Sequence, residues 1–522
     1  MIRVRQIKVP IYDDEVKNYA AKKLKITTEE IKSLKINKKS IDARNKNNIH
    51  YVYEVDVKVE NENIILKKNN KDISITPLEK YVFKVSGTEV LKYKPIIIGS
   101  GPAGLFCAYL LAENGYKPII IERGETIEKR IKSVSKFWEK GILNINSNVQ
   151  FGEGGAGTFS DGKLNTLVKD KSFRMKKVFE IFVKNGAPEE IMYLNKPHIG
   201  TDNLRKVVVN IRNEIIKMGG EFRYNTCLTD LDIQNNQIKK IILNNKETIN
   251  CNVLVLALGH SSRDTFEMLY KRNIEMIPKP FAVGIRIQNL QSRINHSQYG
   301  NNTLPPASYK LTYNTKEGRG VYTFCMCPGG YIVNSSSEKD HLVVNGMSNY
   351  KRDSQNANSA IIVTVSPDDY GNNIFDGIKF QRNLERKAYE IGKGKIPIQL
   401  YKDYKKGVLS KTFKSVQPEI KGEYNFADIN EIFPEFINNA LKEGIDNFDT
   451  KIKDFSKDAI IAGVESRTSS PIRIIRDENL NSNIKGIYPC GEGAGYSGGI
   501  TTSAMDGIKV AEAIAIRYKS FN

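Results

Sequence analysis

Residues 95–124 read PIIIGSGPAGLFCAYLLAENGYKPIIIERG. Ile96 to Ile98 form a short apolar run of the kind a strand buried on both faces requires. Gly99, Gly101 and Gly104 follow at GxGxxG spacing, an apolar helical stretch runs from Ala103, and a second isoleucine triplet closes the unit. This is one complete βαβ unit. Gly99 permits the tight turn, Gly101 lets backbone N–H groups approach a pyrophosphate, and Gly104 allows close helix–strand packing. Ser100, Pro102 and Ala103 complete a turn whose helix start carries partial positive charge. Glu122 ends the second strand, where a carboxylate can accept hydrogen bonds from both hydroxyls of an adenosine ribose. Arg123 beside it is expected to be solvated or to lie at an adenine edge.

That fingerprint fits NAD or FAD, and the far end of the chain separates them. Residues 486–518 read GIYPCGEGAGYSGGITTSAMDGIKVAEAIAIRY. A strand ending at Pro489 runs into Gly491, Glu492 and Gly493, where flavoproteins place an acid on the ribityl chain of FAD. Past Gly499 and Ile500 a helix starts near Thr501 or Thr502, with Ala504, Ile508, Ala511 and Ala515 on its inner face. Its positive end can face the flavin pyrimidine ring and stabilise the charge that gathers there on reduction. The glycine-rich loop 152–162, with Gly155, Ala156, Gly157 and Thr158 at its centre, has the backbone freedom to wrap the isoalloxazine, an ordinary surface loop being the alternative.

These residues resemble the two-domain flavoprotein superfamily that includes p-hydroxybenzoate hydroxylase and the type-2 glutathione-reductase-like folds. The strand VLVLALGH (253–260), ending in Gly259, is similar to that superfamily's second FAD-contacting strand. VQFGEGGAGTFSDGKLNT (149–166), KPHIGTDNL (196–204), FCMCPGG (324–330), GVESRTSSPIRI (463–474) and GEGAGYSGGI (491–500) resemble a bacterial family of FAD-dependent dehydrogenases or oxidoreductases of unknown substrate. The resemblance spans nearly the whole chain. It implies an α/β fold in which a discontinuous Rossmann-like FAD-binding domain is interrupted by a sheet-rich (α+β) substrate domain, with a small N-terminal α/β domain ahead. The expected divisions are 1–92 for the N-terminal accessory domain, 93–268 and 457–522 for the two FAD-binding parts, and 269–456 for the substrate domain. Glu492 stands where the superfamily more often has Asp, one methylene shorter. No second strand–GxGxxG–helix follows, which argues against disulfide reductases with a dedicated NADPH domain; NAD(P)H stays open as a reductant.

The catalytic candidates are fewer. Cys325 and Cys327 lie two apart on a strand, so both should point to one face. They read as two buried core cysteines, the other reading being a flavin-linked dithiol; CxC is not the CxxC of redox helices. Arg467 can hold an anionic substrate or counter the reduced flavin's charge, or form a structural ion pair with Glu465 or Asp477. His198 and His260 sit near turns, as general acids or as side chains bonded to backbone. Cys107 and Cys490 are expected to pack in the cofactor domain. No metal cluster emerges.

Composition bounds the rest. The chain has 522 residues, 40% of them hydrophobic and 26% charged, enough for several buried cores. Six scattered cysteines make no disulfide framework, and no secretory h-region or 18-residue apolar run occurs, so a cytoplasmic protein without a membrane span is expected. The net charge of +20 is denser at the N-terminus but is smeared among Ile and Asn, without the compact patch that nucleic acid requires. The expectation is an FAD-dependent oxidoreductase that moves hydride or electrons through a non-covalently bound flavin, on a small substrate and in an oligomeric state the sequence does not specify. The alternatives are a flavin-containing RNA-associated or redox-sensing protein, and an NAD(P)H-dependent flavin monooxygenase.

Overall fold

The computed structural model describes residues 1–67, 70–301 and 303–521. Its centre is a five-stranded parallel sheet in the order Ile487–Pro489, Leu254–Leu256, Ile96–Ile98, Ile119–Ile121, Glu221–Arg223. The isoleucine triplets are central strands, and both faces are covered, as a parallel sheet demands. On one face Ile97 and Ile120 pack with Leu110, Leu111, Ile508 and Ile514, from the helices Pro102–Glu113 and Ile500–Arg517. On the other, Ile96, Ile98 and Leu256 meet Phe266 and Leu269, with Leu231 and Ile241 of a three-stranded antiparallel sheet spanning residues 228–250. The outermost strand of this nucleotide fold thus arrives almost 400 residues after the first.

Between the two parts lies a seven-stranded, mainly antiparallel sheet in the order Thr312–Asn314, Gly320–Cys327, Asn356–Val365, Phe281–Leu290, Ile460–Glu465, Ile396–Leu400, Tyr424–Phe426. The helix Glu435–Lys451 packs Ile437, Leu441, Ile445 and Phe448 into the same core as Ile361, Val363 and Val321. A boundary at 456 does not describe this sheet, because Ile460–Glu465 is one of its inner strands. The polar run before Ala459 resembles a linker, yet it only turns the chain from that helix into the strand. Where the chain leaves and re-enters the parallel sheet, Met276–Pro278 pairs antiparallel with Ile472–Ile474.

The N-terminal residues form a four-stranded antiparallel sheet, Ser33–Asp42, His50–Lys58, Ile2–Pro10, Ile73–Ile75, covered by the helix Val16–Leu24. Tyr53, Val55 and Val57 are buried at alternate positions, while Asp56 on the opposite face is buried by Arg3, Nε to Oδ1 2.8 Å. Residues 81–89 run against the last helix, with Tyr81 donating to Glu512 at 2.9 Å and the amides of Ser86 and Gly87 to the Ala515 carbonyl. No helix among the described residues is long and apolar enough to cross a membrane.

Candidate functional site

The glycine turn is held from three sides. At Gly99, with φ +99°, a Cβ would collide with the Ala257 carbonyl, and at Gly104 with that of Gly99. The Glu122 carboxylate, 5% exposed, ties the turn to its surroundings. Its Oε2 accepts from the Ser100 N–H and Oγ–H at 3.0 and 2.7 Å, and its Oε1 from the Gly124 and Gly152 N–H groups at 2.9 and 3.0 Å. A carboxylate offers about four acceptor positions, so protein donors use all of them. Glu122 therefore organises three loops, and only the Ser100 hydroxyl, which can rotate, releases a lone pair for a ribose.

The loop at 148–155 is shaped by Arg130, which sequence reading missed. This fully buried guanidinium donates to the carbonyls of Asn148, Val149, Glu153 and Gly155 at 2.7 to 3.0 Å. It sits in a helix, IEKRIKSVSKFWEK, whose other charges face solvent, and no local pattern singles it out.

One cavity of about 750 Å3 runs from this turn to the start of the last helix. Of the residues expected to hold the cofactor, Gly99, Gly101, Pro102, Ala103, Glu122, Arg123, Gly155, Ala156, Gly157, Gly259, Glu492, Gly499 and Ile500 line it. Ser100, Gly104, Thr158 and Gly491 stand behind the wall instead. Thr158 is buried, with its carbonyl accepting from Thr201 Oγ1 at 2.7 Å, so it braces the loop rather than facing the cavity. Gly491, φ +76°, donates its N–H to Asp506 Oδ2 at 2.8 Å, and Asp506 is clasped by Arg476 at 2.7 and 2.9 Å. A buried acid in the apolar stretch SAMDGIKV was the available signal for this anchor. Arg123 is paired rather than solvated: it donates to Asp264 at 2.8 Å and stacks over Phe151 at 4.6 Å.

At the far end the helix Ile500–Arg517 opens on Gly499, and the helix Pro102–Glu113 opens on Gly101; no side chain among the described residues caps either one. Their first-turn N–H groups are donors, and the dipoles favour anionic groups there. Burial pushes the Glu492 carboxyl up to about 7, against the opposing effect of Lys279. His260 Nε2 lies 4.0 Å from Glu492, while its Nδ1 meets Ser261 Oγ at 2.9 Å. Burial, then Arg467 and Arg263, push this imidazole down to about 3, so it is neutral at physiological pH.

The catalytic candidates separate. Arg467 reaches the cavity wall, but its partners are neither Glu465 nor Asp477. Its Nε and Nη2 donate to Glu385 at 3.0 and 2.9 Å, its Nη2 also to Glu338 at 3.4 Å, and its Nη1 to Ser261 and Ser337 at 3.1 and 2.5 Å. Glu385, fully buried, is also held by Arg263 at 2.8 and 2.9 Å. Glu465 instead faces Arg286 at 3.5 Å. Arg467 is thus half of a structural ion cluster, with no donor left for a substrate carboxylate. His198 Nε2 meets the Tyr350 carbonyl at 3.0 Å and the ring stacks on Tyr350, away from the cavity lining. Cys107 and Cys490 are fully buried, as is Cys327. Cys325 is not a core cysteine: it is half-buried and lines the cavity. The regular alternation expected for GVYTFCMC fails because the ladder slips between Phe324 and Cys327. Among the described residues no group of three or more His, Cys, Asp or Glu is placed to hold a metal ion.

Two family models meet at this cavity. Residues 93–270 match the pyridine nucleotide-disulphide oxidoreductases, and residues 280–468 match the C-terminal domain of FAD-dependent proteins; residues 1–58 match a domain of unknown function. The chain is an FAD-dependent oxidoreductase with a Rossmann-like cofactor domain. It belongs to the same family as an uncharacterised protein of Clostridium beijerinckii, 48% identical over 530 residues that cover 99% of each chain. Solved structures align more loosely. An E. coli quinol fumarate reductase subunit is 11% identical, TM-score 0.37, over 82% of this chain and 70% of that one. A Bacillus cereus glycine oxidase is 14% identical, TM-score 0.30, over 81% and 95%. Scores this low define neither a shared substrate nor a shared mechanism.

Proposed function

We propose that FAD lies extended along this cavity, its ADP moiety at Gly99–Gly104 and its isoalloxazine ring against the start of the last helix. A small substrate then enters beneath the seven-stranded sheet. The bound flavin supplies two-electron chemistry, taking or giving a hydride or an electron pair. The chain's own groups do the rest. The amides of Gly101 and Ala103 receive the pyrophosphate, and the Ser100 hydroxyl turns from Glu122 as the ribose docks. Glu492, nearly balanced between its two protonation states at neutral pH, hydrogen-bonds the ribityl chain in either one. The first-turn amides at Ile500 and Thr501 stabilise negative charge on the reduced ring. On the substrate side Lys163, Lys196 and Arg352 outnumber Asp161, which favours an anionic substrate. Six free thiols suit a reducing cytoplasm.

The observation that carries this reading is the continuity of one cavity between the two glycine motifs, which lie nearly 400 residues apart in sequence. An absorbance spectrum of the purified, FAD-reconstituted protein, followed by anaerobic addition of NADH or NADPH, tests it. A bound flavin spectrum is expected, with bleaching by one nucleotide naming the reductant; colourless folded protein refutes the reading.

A further inference from the structure

The strand that ends in Cys325 and Cys327 is irregular where it reaches the cavity. Phe324 pairs with Ala360 and Cys327 with Asn358, so one extra residue is accommodated in this bulge. Cys325 takes up the distortion with φ +44°, a left-handed conformation that costs a side-chain-bearing residue of order 1 kcal/mol and clusters at functional sites. Arg286 Nη2 fixes it by donating to the Cys325 carbonyl at 2.7 Å. The two thiols are neighbours, and Cys327 Sγ–H donates to the Cys325 carbonyl at 3.3 Å. Lys163 stands over them, 4.0 Å from Cys327 Sγ and 3.1 Å from Asp161.

The two sulfurs differ in environment. Cys325 lines the cavity shared with Gly157, Glu492 and Ile500, whereas Cys327 is fully buried behind it. The neighbouring Cys327 thiol, with Lys163 and Arg286 and against the cost of burial, pushes the Cys325 thiol down. The neighbouring Cys325 and burial push Cys327 well above the ordinary thiol range. Cys325 is therefore the more acidic sulfur, placed at the cavity wall, with Cys327 behind it. Asp161, Tyr309, Arg352, Glu465 and Glu492 are other charged or titratable groups around the pair.

We propose that Cys325 and Cys327 are a redox pair that exchanges two electrons with the flavin, Cys325 facing the ring and Cys327 closing the disulfide. The proposal rests on the flavin reading above. In the oxidising direction the Cys325 sulfur, as thiolate, bonds to the Cys327 sulfur and the Cys327 S–H bond breaks. Two electrons and the Cys327 proton pass to the flavin, the Cys325 proton having gone to solvent when the thiolate formed. The reverse direction reduces the disulfide at the expense of reduced flavin. A ring closed by cysteines one residue apart is strained and hence readily reduced, as an exchange pair needs.

Air-oxidised, FAD-loaded protein is titrated anaerobically with dithionite, and samples are quenched with N-ethylmaleimide for peptide mass spectrometry. The wild type should take up twice the reducing equivalents per flavin that Cys325→Ser or Cys327→Ser takes. Its 325–327 peptide should pass from unalkylated to doubly alkylated as the flavin bleaches, a readout that needs no variant. Equal uptake in all three proteins, or a peptide alkylated equally before and after reduction, overturns the proposal while a normal flavin spectrum leaves the flavin reading standing. Wild-type protein that binds no flavin overturns both.

Discussion

Gly507 of the last helix rests against the carbonyl of Ala103, with no room for a methyl group between them and with the Cys107 amide 3.1 Å from where that methyl would sit. The contact fixes the distance between the two helix starts that open on the cavity. Gly507→Ala is expected to destabilise the protein by about 2 kcal/mol or more, since the obstacle is backbone that cannot turn aside. Flavin retention should fall with it. A urea midpoint and the flavin content after gel filtration measure the two effects.

Glu122 satisfies four donors at once, so its removal acts on the turn as well as on the cofactor. Glu122→Ala leaves the amides of Ser100, Gly124 and Gly152 without their acceptor. Flavin affinity should drop by about 10- to 100-fold, read from quenching of flavin fluorescence on titration into the stripped protein. Unchanged affinity would mean that the carboxylate does not support the cofactor turn.

Burial works against Glu385, but Arg263 and Arg467 hold its carboxyl well below the usual range. Glu385→Gln leaves two buried guanidinium groups to share Glu338, 2.6 Å from Arg263 and 3.4 Å from Arg467, and a loss of about 3 kcal/mol at neutral pH is expected. A lowered folded-state value stabilises above the unfolded one, near 4.5, and that stabilisation fades as pH falls. The gap between wild type and variant in a chemical denaturation series should therefore narrow in acid.

Much of this was legible from sequence, and the failures share a cause. The βαβ unit is readable because its signals, isoleucine triplets and glycine spacing, are local. The partner of Arg467 was not. Glu465 and Asp477 are its neighbours in the chain, whereas Glu385 comes from the helix Asp376–Ile391 of the inserted region. Arg130 and Asp506 are buried charges whose partners are backbone groups or residues brought close only by the fold. The run GVYTFCMC alternates regularly on paper; the ladder slip that turns Cys325 to the cavity depends on the register of a strand some 30 residues later.

Glu465 and Glu492 titrate the other way from Glu385. Burial pushes both carboxyls up to about 7, from near 4.5 when unfolded. Between those values the unfolded chain gives up protons that the folded one keeps, so stability falls as pH rises from about 4.5 through about 7. Denaturation of flavin-free protein between about pH 5 and pH 8 should show this decline, of order 2 kcal/mol per carboxyl. Glu492→Gln should flatten it by one carboxyl's share.

The strand Ile487–Pro489 is the last of the five to be synthesised, and it pairs with Leu254–Leu256. While a ribosome makes the intervening residues, on the order of ten seconds or more, that edge has bare N–H and C=O groups exposed. A nascent chain of this kind offers a sticky margin to other nascent chains until Ile487–Pro489 is made and seals it.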